Sequence, residues 1–99
     1  MNVLMAQARL QADGVTEVRT AAKKMFAAIE AAQPEGIRYA WVVLGDGETF
    51  AALVQVDEGV ENTIPSLPEF QELQQGLADR LAEPATTQTL EVIGSYRLF

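Results

Sequence analysis

Neither cysteine nor histidine occurs among the 99 residues of this sequence. Their absence excludes disulfide bonds, zinc sites built from thiolates and imidazoles, haem ligation by either residue, Ser-His-Asp triads and cysteine nucleophiles. The usual general base near neutral pH is missing for the same reason. A chain without cysteine also fits the reducing cytoplasm, which is where we expect this protein to act.

Basic residues and long apolar runs are also scarce. Seven Lys and Arg residues against fourteen Asp and Glu residues give a net charge of −7, so we expect no nucleic-acid partner. No apolar run approaches the roughly 18–20 residues that cross a bilayer, and the start of the chain lacks the features of a signal peptide. The hydrophobic content of 48% is typical of globular proteins, and the length predicts one domain over residues 1–99.

Hydrophobic periodicity predicts a strand and then a helix in the first third of the chain. Residues 3–10 alternate, which places every second side chain of the strand on one face: Leu4, Ala6, Ala8 and Leu10. Residues 15–32 follow a helical period, with one apolar stripe: Val15, Val18, Ala22, Met25, Phe26 and Ile29. Pro34 and Gly36 end this helix.

Two apolar runs, 37–44 and 49–56, predict a β-hairpin. Asp46 and Gly47 between them favour a type I′ turn with both residues at positive φ, which pairs Val43 with Phe50. This register collects the aromatic residues on one face of the hairpin: Tyr39, Trp41, Val43, Phe50, Ala52 and Val54. The other face carries the remaining side chains: Arg38, Ala40, Val42, Leu44, Thr49, Ala51, Leu53 and Gln55.

The last third predicts an acidic loop over 57–65, a second helix and a final strand. Ser66 and Glu69 have the spacing of a capping box, and the apolar period continues through Leu81 until Pro84 stops the helix. Residues 86–99 form the last strand region, with Leu90 and Val92 on the helix side and Glu91 and Ile93 on the other.

The order βαββαβ predicts an α+β fold of the ferredoxin-like type, with two helices on one face of a four-stranded antiparallel sheet. The opposite face, here called the open face, is largely apolar: Val3, Met5, Ala40, Val42, Leu44, Ala51, Leu53 and Ile93. An apolar surface of this size is rarely left exposed on a monomer. We therefore expect a homodimer formed sheet against sheet, in which Arg38 and Glu91 are candidates for an ion pair.

Several side chains allow both a functional and a structural interpretation. Tyr39, Trp41 and Phe50 could line a pocket for a planar aromatic ligand, or they could simply form the core under the helices. Arg38 could hold an anionic substrate oxygen, or it could lie in the dimer interface or at its solvated rim. Met25 and Phe26 are interpreted as core residues. The acidic loop is interpreted as solvated, and we expect no metal site.

Three segments of the chain carry a resemblance to a known family. They are Gly36-Ile37-Arg38-Tyr39 at the start of the second strand, Leu67-Pro68-Glu69-Phe70 at the start of the second helix, and Val92-Ile93-Gly94-Ser95-Tyr96. With the element order and the length, they resemble the dimeric α+β barrel superfamily, and within it the antibiotic-biosynthesis-monooxygenase-like domains.

The resemblance implies a homodimeric barrel with a small hydrophobic cavity in each subunit between sheet and helices. Members of that family include cofactor-free oxygenases of aromatic polyketides, and the resemblance to them implies that no cofactor is bound. The family also includes haem-degrading enzymes. The haem-degrading members use a histidine on the second helix, which this chain lacks. Asn62, in the loop before that helix, could match an amide that holds a substrate oxygen. Two functions stay open: a small monooxygenase-like enzyme, or a non-catalytic homodimeric module that binds a small hydrophobic molecule or another protein.

Overall fold

A computed structural model of the chain describes residues 2–97. The strands are β1 (Asn2–Arg9), β2 (Ile37–Val43), β3 (Thr49–Val56) and β4 (Thr86–Glu91), and the helices are α1 (Val15–Ala32) and α2 (Pro68–Ala78). Short 3₁₀ turns, Ala12–Gly14 and Ile64–Ser66, precede the two helices. The predicted order βαββαβ is therefore confirmed. No helix in the described part of the chain is long and apolar enough to cross a membrane.

The four strands form one antiparallel sheet in the order β2-β3-β1-β4. Each helix connects two parallel strands and leaves room between them for a third, which is the ferredoxin-like arrangement. Both helices pack on the same face, here called the helix face. The buried core between them and the sheet consists of Leu10, Val18, Ala22, Met25, Phe50 and Leu73.

The hairpin register is confirmed, but the predicted turn is wrong. Val43 pairs with Phe50, and the Leu44 N–H donates to the Thr49 carbonyl at 2.8 Å. The Gly47 N–H donates to the Leu44 carbonyl, so Gly45 and Asp46 are the central residues, and neither has a positive φ. Gly47 alone in this turn enters the left-handed region, with φ +73°, which is typical of a four-residue hairpin loop.

The Asp46 carboxylate holds this turn together. It accepts hydrogen bonds from the backbone N–H groups of Glu48 (2.9 Å) and Thr49 (2.8 Å) and from the Thr49 hydroxyl (2.6 Å). These bonds, those from Thr49 above all, favour the charged form and hold the pKa of Asp46 below its usual value. The Asp46 side chain therefore stabilises the turn, although the Asp46 backbone does not adopt the predicted left-handed conformation.

The second helix begins and ends differently from the prediction. Its N-cap is Leu67, and no side chain caps it, because the Ser66 hydroxyl donates instead to the Thr63 carbonyl inside the preceding 3₁₀ turn. The helix ends at Ala78, short of the predicted Pro84. The following backbone pairs with the end of β1 through an isolated bridge between Leu10 and Leu81, which removes Leu81 from the helix.

The last strand is shorter than predicted and has the opposite phase. It ends at Glu91, and its pairing places Leu90 beside Val3 on the open face. Ile93 lies beyond the strand and is fully exposed, so it does not belong to the open face. The phase of β4 could not be determined from the sequence, because the run Thr86-Thr87-Gln88-Thr89 has no apolar alternation. Residues 98 and 99 of the predicted strand lie outside the described residues.

Gly36, where the chain enters β2, should tolerate no side chain. Its φ is +73°, and an added Cβ would lie 2.7 Å from the Val60 Cγ2 atom. We expect Gly36→Ala to lower the free energy of unfolding by about 1–2 kcal/mol, from the cost of the left-handed backbone alone. Gly45→Ala is the matched control, since nothing lies within 4 Å of its Cβ and its φ is not positive. Urea denaturation of both variants measures the difference, and equal losses would contradict this account.

Candidate functional site

A cavity of about 370 Å³ lies between the helix face of the sheet and α2. Alternation along the strands creates its floor, because side chains two residues apart point to the same face: Leu4, Ala6, Ala8, Tyr39, Trp41, Phe50, Ala52 and Val54. The opposite wall comes from the 3₁₀ turn and from α2: Ile64, Pro65, Phe70, Gln74 and Leu77. The lining is mostly apolar and aromatic, with a small number of polar groups, which is the usual composition of a small-molecule site.

Two hydrogen-bonding side chains form a pair on the cavity floor. The Trp41 indole Nε1–H donates to the Tyr39 hydroxyl oxygen at 2.9 Å. Because the tyrosine oxygen accepts this bond, its own O–H remains able to donate. Burial raises the pKa of Tyr39 above its ordinary value of 10.0, and the bond from Trp41 opposes that shift only in part. Tyr39 is therefore a neutral hydrogen-bond donor near pH 7.

Aromatic contacts fix the orientation of both rings. Phe26 of α1 lies against Tyr39, with ring centroids 5.4 Å apart. Trp41 meets Phe50 edge to face, with centroids 6.2 Å apart. Edge-to-face and tilted pairs of this kind are favourable geometries for aromatic rings. The floor of the cavity is therefore held in place by neighbouring rings.

Asn62 lies in the loop beside the cavity and contributes a lining side chain. Its Oδ1 atom accepts a hydrogen bond from the Ile64 backbone N–H at 3.1 Å, which fixes the loop just before the 3₁₀ turn. The side-chain carbonyl is thus used within the protein. The Nδ2 group is the part of Asn62 that can donate to a bound molecule.

Arg38 does not line the cavity. It lies on the open face, because it precedes Tyr39 by one residue in β2. Its guanidinium contacts the Asp57 carboxylate at 3.2 Å and the Gln55 Oε1 atom at 3.4 Å. Within one chain the candidate partner Glu91 is at the far edge of the sheet, since β2 and β4 are the two edge strands.

Of the five residues predicted to bind substrate, the structure brings four around one cavity: Tyr39, Trp41, Phe50 and Asn62. Their role in binding stays a prediction. The sequence reasoning missed the α2 side of the cavity, although Phe70, Gln74 and Leu77 have the helical spacing that places them on one stripe. Met25 is fully buried in the core, as expected.

The charge inventory of the cavity limits its chemistry. Among the described residues that line it, Tyr39 is the one ionisable side chain. No group of three or more carboxylates or other ligating residues in the described range could hold a metal ion. The cavity can therefore offer hydrogen-bond donors and apolar contact, and it offers no carboxylate or imidazole base.

Comparison with known proteins finds similarity in structure only. Neither a protein-family profile nor a curated protein matches the sequence. Among solved structures, Rv0793 from Mycobacterium tuberculosis has a TM-score of 0.72 at 14% identity, over 95% of this chain and 96% of that one. A protein from Nitrosomonas europaea, provisionally assigned as an antibiotic biosynthesis monooxygenase, has a TM-score of 0.76 at 14% identity, over 95% and 100%. SnoaB, a cofactor-independent oxygenase from Streptomyces nogalater, has 0.67 at 12%, over 97% and 96%.

These similarities define the fold. The chain has the ferredoxin-like α+β fold of the antibiotic-biosynthesis-monooxygenase domains, and the resemblance predicted from the sequence is confirmed at that level. At 12–14% identity, structural similarity carries no information about substrate or reaction by itself.

The raised pKa of Tyr39 predicts a pH dependence of stability. The folded state holds the phenol proton more tightly than the unfolded state, so this contribution is complete below pH 10.0 and is lost as the pH rises through the folded pKa. We expect the free energy of unfolding to fall above pH 10.0, and to fall less steeply in Tyr39→Phe. Urea denaturation between pH 8 and pH 11.5 measures both slopes. Tyr96→Phe, a change of an exposed tyrosine, is the control and should follow the parent protein.

Proposed function

We propose that this protein is a cofactor-independent, monooxygenase-like protein that binds a small planar apolar molecule in the cavity between sheet and α2. The observation that carries the proposal is the combination of an aromatic-lined cavity of about 370 Å³ with a neutral phenol donor on its floor. The fold of SnoaB, described as a cofactor-independent oxygenase, supports this class of function. The cytoplasmic location expected from the sequence belongs to the same proposal.

The polar groups favour a ligand that carries a carbonyl or phenol oxygen. The Tyr39 O–H and the Asn62 Nδ2 group can both donate to such an oxygen, while the aromatic floor contacts the ring system. A donor aimed at an oxygen stabilises the negative charge that develops there when the ligand becomes an enolate. Tyr39 is therefore proposed to bind the oxygen and to stabilise its anion.

The absence of a base among the cavity-lining residues restricts the substrate. The proton must leave to water at the cavity mouth, which requires an acidic C–H, such as a CH₂ group flanked by aromatic rings and conjugated to a carbonyl. The resulting carbanion reduces molecular oxygen directly. The balanced reaction converts the CH₂ group and O₂ into a ketone and water, with the substrate supplying all the electrons.

The second candidate is a homodimeric module that binds the same kind of molecule without converting it. The observation that favours it is the lining itself, because Tyr39 is neutral near pH 7 and no other described lining residue is ionisable. Binding and turnover must therefore be measured separately.

Anthrone is a suitable probe, since it is planar and has an acidic CH₂ group conjugated to a carbonyl. We expect saturable binding, and oxygen consumption with formation of anthraquinone above the rate in buffer. Tyr39→Phe should reduce affinity or rate several-fold, corresponding to about 1 kcal/mol for one lost hydrogen bond. Tyr96→Phe is the control and should change neither.

Three results decide between the candidates. Binding with turnover that depends on Tyr39 supports the oxygenase. Binding that depends on Tyr39 without oxygen consumption supports the non-catalytic module. No binding of anthrone, together with a parent protein that carries no small molecule in native mass spectrometry, would refute the cavity as a ligand site.

The open face supports the homodimer in the same proposal. Residues paired across neighbouring strands form rows on this face, and one row is apolar on three strands, Ala40, Leu53 and Met5, and ends at Gln88 on β4. Val42, in the next row, keeps 43% of its surface exposed. A second copy would cover the apolar side chains that this face leaves exposed.

Charge placed on the open face should prevent this dimer. Leu53→Asp and Val42→Asp each introduce a carboxylate that the dimer would bury without a partner, so we expect both to be monomers. Val42→Asp is the variant that the folded monomer tolerates better, because Val42 is exposed. Gln71→Asp adds the same charge on the exposed side of α2 and should remain dimeric. Light scattering coupled to gel filtration measures the mass, and a dimeric Val42→Asp would refute the sheet-to-sheet assembly.

A further inference from the structure

A second concave surface lies beside the cavity, on the same helix face of the sheet. It is a groove of about 400 Å³ between α1 and the edge of the sheet. Its sides are one stripe of α1 and three residues of β2 and β3: Arg19, Ala22, Lys23, Phe26, Ala27, Glu30, Trp41, Val43 and Phe50. Trp41 and Phe50 line both the groove and the cavity, so this pair forms the wall between them.

Two cations without a carboxylate partner stand at one end of the groove. Of the seven Lys and Arg residues, Arg9, Lys24, Arg38 and Arg80 form ion pairs in the described part of the chain. Arg19, Lys23 and Arg97 form none there, although the protein has twice as many acidic as basic residues. Of these three, Arg19 and Lys23 line the groove. They are also four residues apart on α1, where like charges repel each other by a few tenths of a kcal/mol.

Arg19 extends over the aromatic wall of the groove. Its guanidinium carbon lies 6.0 Å from the centre of the Phe50 ring, so the side chain reaches across the groove toward the wall. An anion between the two cations would relieve their repulsion, and the apolar sides of the groove favour an anion with an apolar body. The apolar body has contacts available from Phe26, Trp41 and Val43.

Glu30 determines the orientation and the length of such a molecule. It lies at the opposite end of the same stripe, seven residues after Lys23, which is about 10 Å along a helix. A carboxylate near Glu30 would be repelled, whereas one between Arg19 and Lys23 would be attracted. The charge pattern therefore admits one anionic group at one end and an apolar chain about 10 Å long.

We propose that this groove is a second binding site, separate from the cavity, for a small monocarboxylate with an apolar body of about eight carbons. The carboxylate lies between Arg19 and Lys23, and the apolar part lies against Phe26, Trp41 and Val43. The site does not depend on the function proposed for the cavity, since neither cation lines the cavity.

Octanoate is the probe, and 1-octanol is its uncharged counterpart. Trp41 is the single tryptophan, so its fluorescence reports binding on either side of the wall. Amide chemical shifts in ¹⁵N-labelled protein then locate the site. We expect octanoate to shift the amides of Ala22, Lys23 and Ala27 on α1, and not those of Gln74 and Leu77 on α2.

Charge variants test the role of the two cations. The double variant Arg19→Gln/Lys23→Gln should bind octanoate about tenfold more weakly, a change of about 1.4 kcal/mol, and should bind 1-octanol unchanged. Lys24→Gln is the matched control, because Lys24 is paired with Glu72 and does not line the groove. Raising the salt concentration should weaken octanoate binding in the parent protein and not in the double variant.

Three outcomes would overturn the proposal. Octanoate shifts confined to α2 would assign the ligand to the cavity. Equal octanoate affinity in the double variant and in Lys24→Gln would remove the role of the two cations. A lower oligomeric mass of the double variant in native mass spectrometry would make the groove an interface between copies of this chain. A change of these exposed residues leaves the core intact, so the melting temperature should stay close to that of the parent.

Discussion

The two-residue period of the β-strands is the constraint on which the rest of this structure depends. In β2 it sends Tyr39, Trp41 and Val43 to the helix face, and Arg38, Ala40 and Val42 to the open face. One short segment thereby supplies part of the cavity floor, part of the groove and two apolar side chains, Ala40 and Val42, on the opposite face. A slip of one residue in the hairpin would exchange these sets and abolish all three features. The Asp46 turn, with its three hydrogen bonds, is the local device that prevents that slip.

The sequence was sufficient for the features that depend on periodicity. The order of elements, the range of α1 and the hairpin register could be read because apolar residues repeat at regular intervals there. The prediction was wrong where that signal fades. The run Thr86-Thr87-Gln88-Thr89 has no apolar alternation, so the predicted phase of β4 rests on residues 90–96, most of which lie beyond the end of the strand at Glu91. The end of α2 was missed because the bridge between Leu10 and Leu81 is a long-range contact.

The residues of the candidate site also fall into two groups, those that the sequence period predicts and those that depend on tertiary packing. Tyr39, Trp41 and Phe50 could be grouped from the hairpin alone, because their common face follows from the strand period. Gln74 and Leu77 join them only through the packing of α2 on the sheet, which no local pattern specifies. The hydrogen bond between Trp41 and Tyr39 depends on side-chain rotamers, and the raised pKa of the phenol depends on burial. The prediction groups Arg38 with the site because it is next to Tyr39 in sequence. Its side chain lies on the open face, whereas that of Tyr39 lies in the cavity.

The central position of β1 has a consequence for how the chain folds. This strand is made first, yet both of its partners come much later, with Thr49 opposite Arg9 and Glu91 opposite Asn2. During synthesis β1 therefore has no neighbouring strand until β3 has left the ribosome, and one of its edges stays unpaired until β4 follows. Pairing across such long sequence separations is slow, and an unpaired strand edge is prone to associate with other chains. The time between the synthesis of β1 and that of β4 is thus the period in which this protein is most exposed to misassembly.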